Sequence, residues 1–140
     1  MKDLNLIAGI MLAALCFASC KKEGNDSNTR KMLYGTWEAD SIAADTNDNL
    51  VMDPSEVRNA ATVFLMVLNE DGSFALTNTG SGGSQNASGS WSLRNADETL
   101  RLAYSTGAAE DLAIESLKGN RLVLADTISG HKGWLILKKF

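Results

Sequence analysis

Cysteine is nearly missing: the 140-residue chain has two, Cys16 and Cys20, both within its first twenty positions. If the stretch up to Cys20 is an address rather than part of the fold, no pair remains for a disulfide or a thiolate metal site. Burial of apolar side chains must then hold the domain. His131 is the sole histidine, which removes metal centres built from several imidazoles. Positive charge is in deficit, with 13 Lys and Arg against 17 Asp and Glu and a net charge of −4. Without a basic stripe, that balance argues against a nucleic-acid partner. Nor does any grouping of nucleophile, base and oxyanion donors emerge, so the chain does not read as an enzyme.

What is present begins with a targeting pattern. Lys2 supplies a positive flank, and residues 6–17 form an apolar run too short to cross a bilayer. Ala18-Ser19 are the small residues that a signal peptidase requires, and Cys20 follows at once. This resembles the lipobox of bacterial lipoproteins, with Phe17 where the pattern usually has Leu. Cys16, preceded by the bulky Leu15, is the weaker rival, and an ordinary secretory signal is the alternative. The resemblance implies a signal peptide over 1–19, diacylation of the Cys20 thiol, and acylation of the new N-terminus with chains such as palmitate. It also implies anchoring to the outer membrane of a cell envelope. Cys20-Lys21-Lys22-Glu23 partly resembles signals that send lipoproteins to the outer face of that membrane, so cell-surface display is a further expectation. Residues 20–33, polar and without apolar periodicity, read as a flexible tether. Removing 1–19 takes away one Lys and one Asp and leaves the net charge unchanged. The remainder suffices for one domain with a real core, over 34–140, and not for two.

From Tyr34 the chain changes to short runs rich in β-branched, aromatic and leucine residues, punctuated by Gly, Asn and Asp. The runs cover 34–42, 62–68, 74–78, 90–94, 99–105, 111–117, 121–127 and 133–139. Several alternate with period two, as in Trp91 and Leu93, Leu100 and Leu102, or Leu122 and Leu124, which predicts strands with one buried and one wet face. Residues 62–68 are apolar on both faces, as where an outer layer covers a strand. Compact turns stand at Asn69-Glu70-Asp71-Gly72, Asn95-Ala96-Asp97-Glu98 and Lys118-Gly119-Asn120. The other connections, 43–61, 79–89, 106–110 and 128–132, are for the most part longer. In a meander these two sets lie at opposite ends, giving a tight base that holds both termini and a loop-rich mouth. At 119–120 a two-residue turn would pair Leu117 with Leu122. A three-residue bulged loop, the preferred reading, would align Leu112 and Ile114 with Leu122 and Leu124.

The predicted fold is therefore all-β, an eight-stranded antiparallel up-and-down barrel. Gly35-Thr36-Trp37, Asp71-Gly72-Ser73-Phe74, Gly89-Ser90-Trp91-Ser92-Leu93 and Leu100-Arg101-Leu102 follow in an order similar to the lipocalin-like domain of small bacterial lipoproteins. The chain departs from the core lipocalins at Lys118-Gly119-Asn120, which replaces a Thr-Asp-Tyr-type turn. It also lacks a C-terminal Arg over Trp37, a place that Lys138 or Lys139 can take. The resemblance implies a non-catalytic binding module taking a small apolar or amphipathic ligand at the mouth, with Trp37, Phe74, Trp91, Tyr104 and Trp134 as candidate lining. The alternative is a protein-interaction module, accessory subunit or inhibitor with a filled barrel, and the three tryptophans favour an interior that is filled or narrow. An open apolar cavity of about 300 Å³ or more would decide for a ligand.

Four other features carry candidate chemistry. Asp45, Asn47, Asn49, Asp53 and Glu56, with the Val51 carbonyl, have the spacing of a twelve-residue calcium loop, which makes weak calcium binding the one cofactor expectation. Leu50 stands where that loop needs glycine, and a left-handed Leu costs about 1–2 kcal/mol. Asp53-Pro54-Ser55-Glu56 also reads as the capped start of a short helix, which explains half the signal without metal. The glycine-rich run 79–86 lacks the Lys and helix of a phosphate loop and reads as a flexible mouth loop. His131 reads as an exposed turn residue with no acid near it in sequence, and Glu115 and Asp126 as carboxylates able to face each other across a hairpin.

Overall fold

The computed structural model describes residues 27–128 and 130–140. The signal-peptide and lipidation expectations at 1–20 lie outside the described residues. The strands are β1 (Gly35–Ala44), β2 (Val57–Asn59), β3 (Val63–Leu68), β4 (Ser73–Gly80), β5 (Gly83–Arg94), β6 (Thr99–Tyr104), β7 (Ala109–Lys118), β8 (Arg121–Ile128) and β9 (His131–Lys139). From β3 to β9 every strand pairs antiparallel with the next, and β1 pairs with both β3 and β9, so eight strands close into a ring. Closure leaves the ring no continuous free edge. β2 is an addition that pairs only with the far end of β1, through Ile42↔Arg58 and Ala43↔Val57.

Alternation also sorts the apolar side chains into two cores. Leu122, Leu124, Leu135 and Leu137 point inward to join Trp37, Met66, Phe74, Trp91, Leu100 and Leu102. Their neighbours Val123, Ala125, Trp134 and Ile136 point outward and are buried with Ala43, beneath Met52 and Val57 of the 45–59 segment. An outer layer therefore exists, but it covers β1, β8 and β9. The outward side chains of β3, Leu65 and Val67, are half-buried and Val63 is exposed.

Several expectations are corrected. Residues 28–33 are no tether: they form α1 (Asn28–Leu33), N-capped by Ser27 Oγ, which accepts from Arg30 N at 3.1 Å. A six-residue helix cannot stand on propensity alone. It is held by docking across the base, where Leu33 is fully buried and its carbonyl accepts from Trp37 Nε1 at 2.9 Å. Lys139 Nζ donates to the Met32 carbonyl at 2.9 Å and lies 5.1 Å from the Trp37 ring centre, taking the place over the indole expected of Lys138 or Lys139.

The run 79–89 is not a loop. β4 and β5 pair as far as Gly80↔Gly83, leaving Ser81-Gly82 as a two-residue turn. Small polar residues with weak strand preference conceal this strand, which is carried by backbone pairing with β4. Gly89 is needed there, since a Cβ would collide with the Ala103 carbonyl oxygen.

The turn at Gly119-Asn120 has two residues and pairs Leu117 with Leu122, against the preferred three-residue reading. The extra residue sits inside β7 instead, in a bulge between Ile114 and Ser116 that sets Ile114 opposite Leu124. The capped helix at Asp53 is a single 3-10 turn (Pro54–Glu56) that gives way to β2 at Val57. Both ends of the described chain lie at the base: Lys139 pairs with Trp37, and Phe140 N donates to the Thr36 carbonyl at 3.0 Å.

Candidate functional site

The barrel is filled at the base and open at the other end. A cavity of about 690 Å³ enters at the mouth, so the expected filled or narrow interior is corrected. Its walls are Phe64 and Met66 of β3, Leu76 of β4, Leu102 and Tyr104 of β6, Leu112 of β7, Leu124 of β8 and Leu135 of β9. Ile42 on β1 projects into its entrance and is 46% exposed for that reason. The lining is mainly apolar with polar groups at the rim, the composition of a site that desolvates a ligand's body and leaves its head in water.

The polar rim comes from two regions. Thr46, Asn47, Ser55, Glu56 and Arg58 belong to the segment between β1 and β3, and Glu110 and Asp126 close β7 and β8. Tyr104 OH donates to Glu110 Oε2 at 2.7 Å. Burial, reinforced by that hydrogen bond and by the Glu110 charge, pushes the phenol up to about 12, so it remains a neutral donor. Glu56 Oε1 accepts from Thr46 Oγ1 and Thr46 N, each at 2.8 Å, and these bonds hold its carboxyl below the usual range.

Of the five aromatic candidates, Tyr104 and Trp134 are among the lining residues. The Trp134 side chain belongs to the outer core, with Lys132 Nζ 5.3 Å from its ring centre. Trp37, Phe74 and Trp91 are packed below the cavity and do not line it. Trp91 Nε1 donates to the Asn69 carbonyl at 3.0 Å, and the Arg30 guanidinium lies 4.2 Å from its ring centre. Phe74 meets Tyr104 edge-on with ring centres 5.4 Å apart. Three of the five aromatics thus fill the base. The better signal was available: Leu76, Leu102, Leu112 and Leu124 share the inward phase, and Glu110 and Asp126 stand two residues beyond Leu112 and Leu124 on that same phase. Arg58 had no such signal, because β2 was not expected.

The 45–56 loop closes on itself. Asp45, buried, accepts from Asn49 N at 3.1 Å and Leu50 N at 2.8 Å, and Leu50 adopts the anticipated left-handed conformation at φ 62°. Asn47 Nδ2 and Asn49 Nδ2 both donate to Asp53 Oδ2 at 2.9 Å, and Asn49 Oδ1 accepts from Val51 N at 2.9 Å. Oxygens that a cation would use are thus engaged with donors of the loop. Among the described residues no group of three or more His, Cys, Asp or Glu side chains is arranged to hold a metal ion.

His131 and Asp48, 83 residues apart, meet with Nδ1 and Oδ1 at 2.8 Å and tie the loop to the last hairpin. Glu115, displaced by the β7 bulge, pairs with Lys132 at 2.7 Å and does not face Asp126.

The lipocalin-like domain family matches residues 33–124, from the last residue of α1 into β8. No curated protein matches the chain.

Proposed function

The chain belongs to the lipocalin-like domain family, and from that premise we propose that it is a non-catalytic, membrane-anchored binding protein that takes a small apolar or amphipathic ligand into its mouth-side cavity. The observation that carries this reading is the cavity itself. At about 690 Å³ it is more than twice the size at which a ligand reading prevails over a solid interaction module, and it lies at the end away from both ends of the described chain. N-phenyl-1-naphthylamine, a neutral apolar fluorophore, should be taken up saturably by the full-length protein and excluded by Leu112→Trp, which fills the cavity. Absence of saturable uptake by the unsubstituted protein would overturn the reading.

The anchor belongs to the same proposal. Acylation of Cys20 would hold the protein to the outer membrane, with the short segment before Ser27 leading to the base and the cavity facing away from the bilayer. Surface display is the version of this arrangement in which the mouth meets the medium. Support comes from the lipobox-like sequence and from the position of α1 at the base. Cys20→Ser should move the protein from the membrane pellet to the soluble fraction, and its retention in the pellet would refute the anchor.

A further inference from the structure

The polar rim is not electrically neutral. Three carboxylates, Glu56, Glu110 and Asp126, line the cavity against one guanidinium, Arg58. Glu56 is engaged by Thr46 and by Asp53 N. The other two acids have no cation partner among the described residues: Glu110 receives only the Tyr104 hydroxyl, and Asp126 only its neighbour Thr127 N at 2.7 Å. Lys132, the cation on the adjacent hairpin arm, is taken by Glu115 instead.

Register places these two acids on one wall. Ala113 pairs with Ala125, and carrying that ladder one step further sets Asp126 beside Leu112. Glu110 is two residues from Leu112 and therefore on the same face, a diagonal cross-strand neighbour of Asp126. Arg58 stands nearly across the ring, on β2 opposite Ile42. Glu110 is half-buried at the edge of an apolar chamber, where an anion without a cation is costly and a ligand cation is correspondingly favoured.

Resting on the ligand-binding reading above, we propose that the ligand is an amphiphile with a cationic head, an alkylammonium or its like. The head lies between Glu110 and Asp126 with the tail among Phe64, Leu76, Leu102 and Leu135. Tyr104 acts as a positioning residue, fixing one oxygen of Glu110 and leaving the other for the head.

Displacement of N-phenyl-1-naphthylamine from the full-length protein by three ten-carbon competitors, below their micellar concentrations, tests the proposal. Decylammonium should displace the probe at about one-tenth the concentration that decanol requires, with decanoate weakest. Glu110→Gln and Asp126→Asn should each reduce the decylammonium-to-decanol ratio several-fold, and Glu115→Gln, which alters a carboxylate outside the cavity, should leave it unchanged. Equal potency of the three competitors, or decanoate the strongest, would overturn the cationic head while leaving the cavity reading intact. Failure of the probe to bind at all would overturn both.

Discussion

The two ends of this barrel are built from one strand pattern and do opposite things. At the base, Leu33, Trp37, Phe74 and Trp91 fill the interior, and each indole N–H finds a backbone carbonyl. At the mouth the inward positions include Phe64, Leu76, Leu102, Tyr104, Leu112 and Leu124, and they line an interior that stays open. Barrel geometry permits either outcome, and side-chain volume at a few inward positions decides it. The base has a lid from outside the ring in α1, whereas the segment beside the mouth packs Met52 and Val57 against the outer wall and contributes polar residues to the rim.

Substitutions matched across the two ends should break or sharpen this contrast. Trp37→Ala should cost about 3–5 kcal/mol and Leu122→Ala about 2–5, because each leaves a void in packed surroundings. Leu112→Ala, beside a cavity that already exists, should cost about 1 kcal/mol, the transfer term of a half-buried side chain. Urea unfolding at equal protein concentration measures all three, and comparable losses at 112 and 122 would mean that the mouth is as tightly packed as the base. Enlargement should show the same order: Leu112→Phe under about 1 kcal/mol, and Leu68→Phe about 1–3 through overpacking.

The helical lid predicts smaller effects. Ser27→Ala should cost about 1 kcal/mol through loss of the N-cap, and hydrogen exchange should quicken in α1 before it does in β1. At the mouth, pH is the probe. The carboxyl of Glu56 is held below its usual range, so its stabilising contribution is complete above that range and is lost as pH falls through its lowered value. Thr46→Val should flatten the acid limb of stability. Tyr104 has the opposite sign, its contribution being complete below pH 10 and lost as pH rises towards about 12, and Tyr104→Phe should remove that alkaline limb. The smallest expected change is Leu50→Gly. Relief of a left-handed Leu, largely offset by the greater chain entropy of glycine, should stabilise by no more than about 1 kcal/mol in thermal melts.

Most of the ring is legible in the sequence, because alternation and turn chemistry are local signals. Asp71-Gly72 and Gly119-Asn120 mark base turns that the structure contains, and Trp91 and Leu93 share a face as their spacing requires. What escaped was set by tertiary context. β5 residues 83–88 carry no apolar periodicity and become a strand only because β4 supplies a complementary backbone edge. α1 is too short to announce itself in sequence and exists because Leu33 has a place beneath Trp37. The bulge at Glu115 exchanges one register for another without any special residue to mark it. Three of the five aromatic candidates, Trp37, Phe74 and Trp91, pack below the cavity while Tyr104 and Trp134 are among its lining, because a large ring at the base of a small barrel more readily closes a space than lines one.

The three tryptophans divide along the same boundary, which gives the molecule a built-in optical sensor. Trp37 and Trp91 are sealed in the base, while Trp134 belongs to the outer core, against which Val57 packs from the strand that carries Arg58 to the rim. A guest that displaces the rim should therefore disturb one emitter of three. With Trp134→Phe the emission change on ligand uptake should vanish, and with Trp37→Phe or Trp91→Phe it should persist.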